Sequence, residues 1–168
     1  MRLFTVWLWL LASFLFAFAP SPARADCADA PGPGVDWKRC NFNGFDLQGV
    51  DLSGAVLRDA SFLRADLSGA VLNDIQGFKA KFVNARLVGA IFEGARLPQA
   101  DFTKAQLEGA RFAGADLRGA RFNQADLRGA DLTGAQLRGT VLQQADLSGV
   151  TWIDGERVCA EGSIGRCN

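Results

Sequence analysis

Large apolar side chains recur at every fifth position of this chain, from Phe42 to Trp152. Among these 23 positions Leu occurs fourteen times, Phe seven times, Trp once at Trp152, and Gly once at Gly77. Ala stands two residues before in 17 cases, and Gly stands two residues after in 13. Units such as Ala65-Asp66-Leu67-Ser68-Gly69 and Ala125-Asp126-Leu127-Arg128-Gly129 keep this register from Cys40 to Asp154. A period of five is neither the 3.6 of an α-helix nor the 2 of an ordinary strand, and each repeated Gly costs a helix about 1 kcal/mol. The pattern predicts a solenoid in which each pentapeptide forms one short side. The central residue and the Ala point inward, and the other three point outward. Ala is a steric requirement, because a narrow shaft has room for one large side chain per unit. Gly suits the corner, where the backbone turns sharply.

Tandem A-(D/N)-L-x-x units of this kind resemble the pentapeptide-repeat family, and the resemblance covers residues 40–154. It implies an all-β fold, a right-handed quadrilateral β-helix solenoid with four pentapeptides per coil, and therefore five to six coils. Four-sidedness has separate support in the residues. Phe occupies 42, 62, 82, 102 and 122, Phe92 and Phe112 are also 20 apart, and positions 47, 67, 87, 107, 127 and 147 are all Leu. Rings stacked from coil to coil at the strand spacing of about 4.8 Å produce that pattern. Gly77 breaks the ladder, with Phe78 beside it, and register resumes at Phe82. The expected local structure is a bulge in which Phe78 swings inward to fill the empty core site; a kink or recognition notch is the alternative.

The ends carry different signals. Arg2, the apolar run Leu3 to Ala19, Pro20-Ser21-Pro22 and Ala23-Arg24-Ala25 follow the pattern of a secretory signal peptide cleaved after Ala25. The apolar run is at the lower limit for spanning a bilayer, so retention as an anchor is the alternative. Asp26 before Cys27 does not fit a lipid-attachment box. The expected organisation is a signal peptide at 1–25, an N-terminal cap at 26–39, the repeat at 40–154 and a C-terminal cap at 155–168. Caps answer the need to cover the open edges of a solenoid, with Trp37 in the lid over the first coil. Cys27 and Cys40 belong to one end, Cys159 and Cys167 to the other. A disulfide needs Cα atoms within about 7 Å, so the expected pairs are Cys27 with Cys40 and Cys159 with Cys167. Disulfides and a leader together place the protein in the periplasm or outside the cell.

Composition acts mainly by exclusion. The chain has no histidine, which removes His-based catalysis and imidazole ligation. Basic and acidic residues number 18 each, and loss of Arg2 and Arg24 with the leader leaves 16 against 18, a net charge of −2. Nucleic-acid binders usually show a basic excess, so no nucleic-acid partner is expected. The 20-residue register stacks Asp46 on Asp66 and Asp126 on Asp146, pairs suited to a cation or to acid–base work. Bonding of each carboxylate to its own turn is the stronger account, so no catalytic residue, no metal ligand and no cofactor is expected. Arg58, Arg96, Arg118 and Arg138 share a face with Asp116, which reads as a solvated mixed-charge surface. The outward aliphatics Leu63, Val71, Val83, Val88 and Ile91 form the candidate interaction surface.

The expected function is that of a non-enzymatic exported scaffold or protein-interaction module, presenting its outer faces to a protein or envelope component. Capped ends favour a monomer, with no stable membrane insertion once the leader is removed. Two alternatives follow from other features. The resemblance implies a topoisomerase-binding mimic of duplex DNA, which requires a strongly acidic surface and a cytoplasmic address. A carboxylate-based enzyme or cation binder requires a concave pocket that a filled shaft lacks.

Overall fold

The computed structural model describes residues 27–168; the leader and its cleavage after Ala25 lie outside the described residues. Every fifth residue from Asp36 to Asp131 forms a parallel bridge with the residue 20 further on, as Asp36 does with Val56 and Val71 with Ile91. Four pentapeptides therefore close one coil, and four flat faces run along the shaft. Each face is named here by its first central residue. The Trp37 face holds centres 37, 57, 77, 97, 117 and 137, and the Phe42, Leu47 and Leu52 faces follow in chain order. The Trp37 face lies opposite the Leu47 face, and the Phe42 face opposite the Leu52 face. Among the described residues there is no helix.

Corners are turns closed by one backbone hydrogen bond, such as Ala55 N to Leu52 O at 2.9 Å, at every unit of the described residues but Leu72–Ile75. The third residue of the turn has positive φ, the requirement of type II geometry, which Gly meets without strain. At Asp59, Lys79 and Gln99 a side-chain-bearing residue is held at φ 56–59 instead. The ladder holds it there: Asp59 N donates to Phe78 O at 2.9 Å and Lys79 N to Pro98 O at 3.1 Å.

The interior is a column of central residues and Ala with almost no exposure. Phe rings stack from coil to coil, Phe82 on Phe102 at 4.9 Å and Phe102 on Phe122 at 4.8 Å, within 7° of parallel. Phe92 stacks on Phe112 at 4.8 Å and meets the edges of Phe82 and Phe102 at 6.0 and 5.8 Å. Two aromatic ladders thus interlock across the shaft, in geometries that aromatic quadrupoles favour.

The expected bulge at Gly77 does not form. Gly77 N donates to Arg96 O at 2.8 Å and Ala80 N to Gly77 O at 3.0 Å, so the unit keeps its register. Phe78 stays outside, half-buried. The core site is filled from the other inward position, where Ile75 replaces the usual Ala and is fully buried. A Cβ on Gly77 would lie 2.7 Å from Leu97 Cδ2 and 3.7 Å from Ile75 Cδ1, so with Ile75 in place a side chain there would displace Leu97. Ile and Gly together carry nearly the side-chain volume of Ala and Leu, with the bulk moved by two positions.

The ladder also begins earlier than the expected boundary. Val35 to Arg39 is a full unit, with Trp37 N bonded to Val56 O at 2.9 Å and Arg39 N to Arg58 O at 2.9 Å. Trp37 is therefore the first central residue, buried with its ring 4.1 Å from that of Phe42, rather than part of a separate lid. A disulfide joins Cys27 to Cys40, Cα atoms 5.4 Å apart, and Cys40 occupies a buried Ala-type position. At the far end the chain reverses and pairs antiparallel with the last coil, Thr151 with Val158 and Asp146 with Ile164. Leu147 N donates to Ser163 O and Gly149 N to Cys159 O, and the Cys159–Cys167 disulfide ties the returning segment. This covers the edges of the Leu47 and Leu52 faces, as an open sheet edge requires.

Candidate functional site: the charged outer faces

Chemistry on this shaft is confined to the outward positions, because the inward positions hold apolar side chains except Thr140, whose hydroxyl donates to Leu117 O at 2.7 Å. The residue before each centre lies at the start of a turn. Where it is Asp, its carboxylate accepts the amide two residues on: Asp46 from Gln48 at 3.2 Å, Asp66 from Ser68 at 3.0 Å, Asp126 from Arg128 at 3.2 Å and Asp146 from Ser148 at 3.0 Å. The stacked pairs Asp46–Asp66 and Asp126–Asp146 are therefore turn-capping groups. Hydrogen bonds from the Arg118 side chain hold the Asp116 carboxyl below the ordinary aspartate range, and Arg128 does the same for Asp126. Burial raises Asp101, but the Thr103 hydroxyl and amide with Arg121 outweigh it and leave it lowered. Among the described residues no group of His, Cys, Asp or Glu side chains has the arrangement of a metal site.

Sorting the charged residues by face gives a sharp division. The Trp37 face carries seven cationic and three anionic side chains, and the Phe42 face four and one. The Leu47 face carries two cationic and five anionic side chains, and the Leu52 face one and five. One half of the circumference is thus basic and the other acidic, while the ladder as a whole is neutral. Arg64, Lys104, Asp74 and Asp154 sit at corners between unlike faces, and setting them aside leaves the division intact.

Pairing sharpens the asymmetry. On the acidic half every arginine has a carboxylate: Arg86 with Asp66 at 3.7 Å, Arg111 with Glu93, and Arg128 with Asp126 at 2.6 Å and also with Glu108. On the basic half Lys38, Arg118 and Arg121 hold Asp36, Asp116 and Asp101 at 2.6–2.8 Å. The other eight cations there, Arg58, Lys79, Lys81 and Arg96 among them, have no carboxylate within 4.0 Å among the described residues. In the expected mixed-charge strip Asp116 is thus ion-paired with Arg118 and attracted at longer range by Arg96, while Arg58, Arg96 and Arg138 have no carboxylate within 4.0 Å.

Of the open recesses on this basic half, two lie side by side. A trough of about 440 Å³ along the corner between the Trp37 and Phe42 faces is lined by Asp59, Lys79, Lys81, Gln99, Asp101 and Arg121, and it stays open where Gly119 has no side chain. Beside it, Phe78 and Pro98 form an apolar floor between Arg58, Gln76 and Arg96, in a recess of about 200 Å³. The Lys79 ammonium lies 5.0 Å from the centre of the Phe78 ring, a cation–π contact.

The family model for pentapeptide repeats matches eight copies, over residues 38–74, 80–119 and 115–151. The chain belongs to the pentapeptide-repeat family. The matched stretches leave out 75–79, the unit in which Ile75 and Gly77 exchange bulk. Its fold is the right-handed quadrilateral β-helix of that family. The solved structure of QnrB1, a plasmid-mediated fluoroquinolone resistance protein, is similar at a TM-score of 0.52 and 21% identity, covering 71% of this chain and 73% of that one. Rfr23 from the cyanobacterium Cyanothece 51142 is 26% identical over 70% of this chain and 90% of its own, with a TM-score of 0.37. A pentapeptide repeat protein of the Arabidopsis thaliana thylakoid lumen is 24% identical over 77% and 84%, with a TM-score of 0.32. No curated protein matches the sequence.

In this pentapeptide-repeat shaft the expected aliphatic surface is divided. Val71 bridges Ile91 on the Leu52 face, with Val88 across the adjoining corner on the Leu47 face. Leu63 and Val83 lie on the Phe42 face, on the far side of the shaft, so the five residues do not form one patch. All five are half-buried by their neighbours along the ladder. The more exposed large apolar residues are Phe45 at the first coil and Val141, Ile153, Val158 and Ile164 at the last. Sequence reasoning missed the basic half, although the 20-residue register held the signal.

Proposed function

We propose that this protein is a non-enzymatic, exported scaffold that presents a rigid β-helical shaft to a protein or envelope partner. The observation that carries the reading is the segregation of cations without carboxylate partners onto two adjacent faces, on a shaft whose turn-starting aspartates cap their own turns. Catalysis needs a group poised toward a substrate in a concave, water-poor site. Both recesses are open and lie against flat sheet faces, and their carboxylates, Asp59 and Asp101, stand among cations. Export is supported by the leader pattern before Asp26 and by four cysteines taken up in two end staples. The duplex-mimic reading has no support in the charge pattern, because half of the surface is basic.

The test is crosslinking of the full-length protein in its native cells, followed by identification of the captured species and by N-terminal analysis of the protein itself. The reading expects a discrete partner and a mature N-terminus at Asp26. Saturable turnover of a small substrate that disappears in Asp126→Ala with Asp146→Ala would overturn it.

A further inference from the structure

We infer that the corner between the Trp37 and Phe42 faces docks an extended acidic polypeptide segment that carries an apolar side chain. The inference rests on the scaffold reading above and assigns the face and the chemistry of the partner.

Three observations combine here. First, among the described residues of the repeat, the cations with no carboxylate within 4.0 Å all lie on this half, and a cation without a carboxylate partner keeps its capacity to bind an anion. Second, the trough between Lys79 and Lys81 runs parallel to the shaft axis and spans several coils. Asp59 and Asp101 also line it; Arg121 pairs with Asp101 at 2.6 Å, Asp59 leaves one carboxylate among the cations, and Lys79 and Lys81 have no carboxylate within 4.0 Å, Lys79 resting on the Phe78 ring. Third, the Phe78–Pro98 floor adjoins this trough and is flanked by Arg58 and Arg96. Exchange of bulk between Ile75 and Gly77 keeps the core filled without recruiting Phe78, which leaves an aromatic ring on the basic surface. A recess of about 200 Å³ accommodates one aliphatic or aromatic side chain beside the carboxylates of its neighbours.

The shape selects among anionic partners. A bilayer is flat on this scale and meets one face, whereas the basic surface turns a corner through the Lys79 column. A second copy of this chain offers an acidic half, but all its carboxylates except Asp74 already cap turns or hold arginines. An extended strand laid along the corner reaches the lysines of the trough on one side and the apolar floor on the other. Such complementarity sets specificity and association rate, and it weakens steeply with salt.

The test measures fluorescence anisotropy of a labelled peptide of alternating glutamate and leucine with the full-length protein. Binding is expected in about 0.05 M NaCl, with affinity falling at least about tenfold by 0.5 M. Arg58→Glu with Arg96→Glu, and separately Lys79→Glu with Lys81→Glu, should each lower affinity about tenfold or more. Glu93→Lys with Glu108→Lys on the opposite half should change it less than about twofold. Phe78→Ser should weaken the glutamate–leucine peptide and leave a glutamate–serine peptide unaffected. Thermal melts establish that each variant is folded, and the salt series needs no variant. Equal binding of a lysine–leucine peptide, indifference to the basic-half variants, or tighter binding of phosphatidylglycerol vesicles or duplex DNA would overturn the inference. Cellular crosslinking of the same variants separates the two readings. A partner still captured by the basic-half variants contradicts the face assignment and spares the scaffold; no partner captured by the wild type contradicts the scaffold itself.

Discussion

At the scale of single residues, the core is governed by volume per unit rather than by residue type at each site. Ile75 and Gly77 show this most directly, since each violates the repeat and together they satisfy it. Ile75→Ala alone should cost about 2–5 kcal/mol by opening a cavity, and Gly77→Leu alone about 1–3 kcal/mol by overpacking against Leu97. The double variant restores the consensus unit and should unfold near the wild-type midpoint, a coupling that chemical denaturation of the four proteins will measure. Phe102, stacked between Phe82 and Phe122, has no such partner to compensate for it. Phe102→Ala is expected to cost about 3–5 kcal/mol in the same assay. Titration acts at this scale too. Asp36, Asp101, Asp116 and Asp126 all have carboxyls lowered in the folded protein. The unfolded chain therefore takes up protons first as pH falls. Their contribution is complete above the ordinary aspartate value near 3.8 and is lost as pH drops through the lower folded values. Unfolding midpoints should be insensitive to these groups from about pH 8 to 5 and decline below about pH 4. Replacing Asp116 and Asp126 by Asn should make that decline shallower.

At the scale of elements, each end of the ladder is closed by a short segment and a staple. The returning C-terminal segment supplies acceptors to Leu147 and Gly149, and the Cys159–Cys167 link closes that segment on itself. Cys159→Ser with Cys167→Ser should accelerate hydrogen exchange at those two amides while leaving the central coils protected, a local opening rather than global unfolding. How far these ends were legible depends on how far they depart from the unit. The Cys pairs could be assigned because the shaft separates them. The first unit could not, because Val35, Trp37 and Arg39 replace the Ala, Leu and Gly of the pattern together. Only the hydrogen bonds of Trp37 and Arg39 to the next coil show that they continue it. The Gly77 site was misjudged for a related reason: a missing Leu is visible in one dimension, whereas its replacement by Ile75 depends on which side chains share a layer.

At the scale of the whole molecule, the square cross-section converts a sequence register into a charge distribution. Leu63 and Val71 are eight residues apart yet lie on opposite sides, whereas Arg58 and Arg96 flank one recess across almost two coils. The fold was therefore readable from the period of five, while the candidate surface required the 20-residue register to be applied to every charged position. Pairing of individual cations was beyond that register, because it depends on side-chain reach. The resulting shaft is neutral along its ladder and strongly polarised across its axis, a distribution that favours one orientation toward a charged partner.

The most direct measurement places a photo-crosslinking residue at one position per face, Gln76, Ser61, Gln106 and Ala113, in the full-length protein in its native cells. The account predicts a discrete partner captured from Gln76 and Ser61, on the Trp37 and Phe42 faces, and little from Gln106 and Ala113. Capture confined to Gln106 and Ala113, or even capture around the whole shaft, would contradict it.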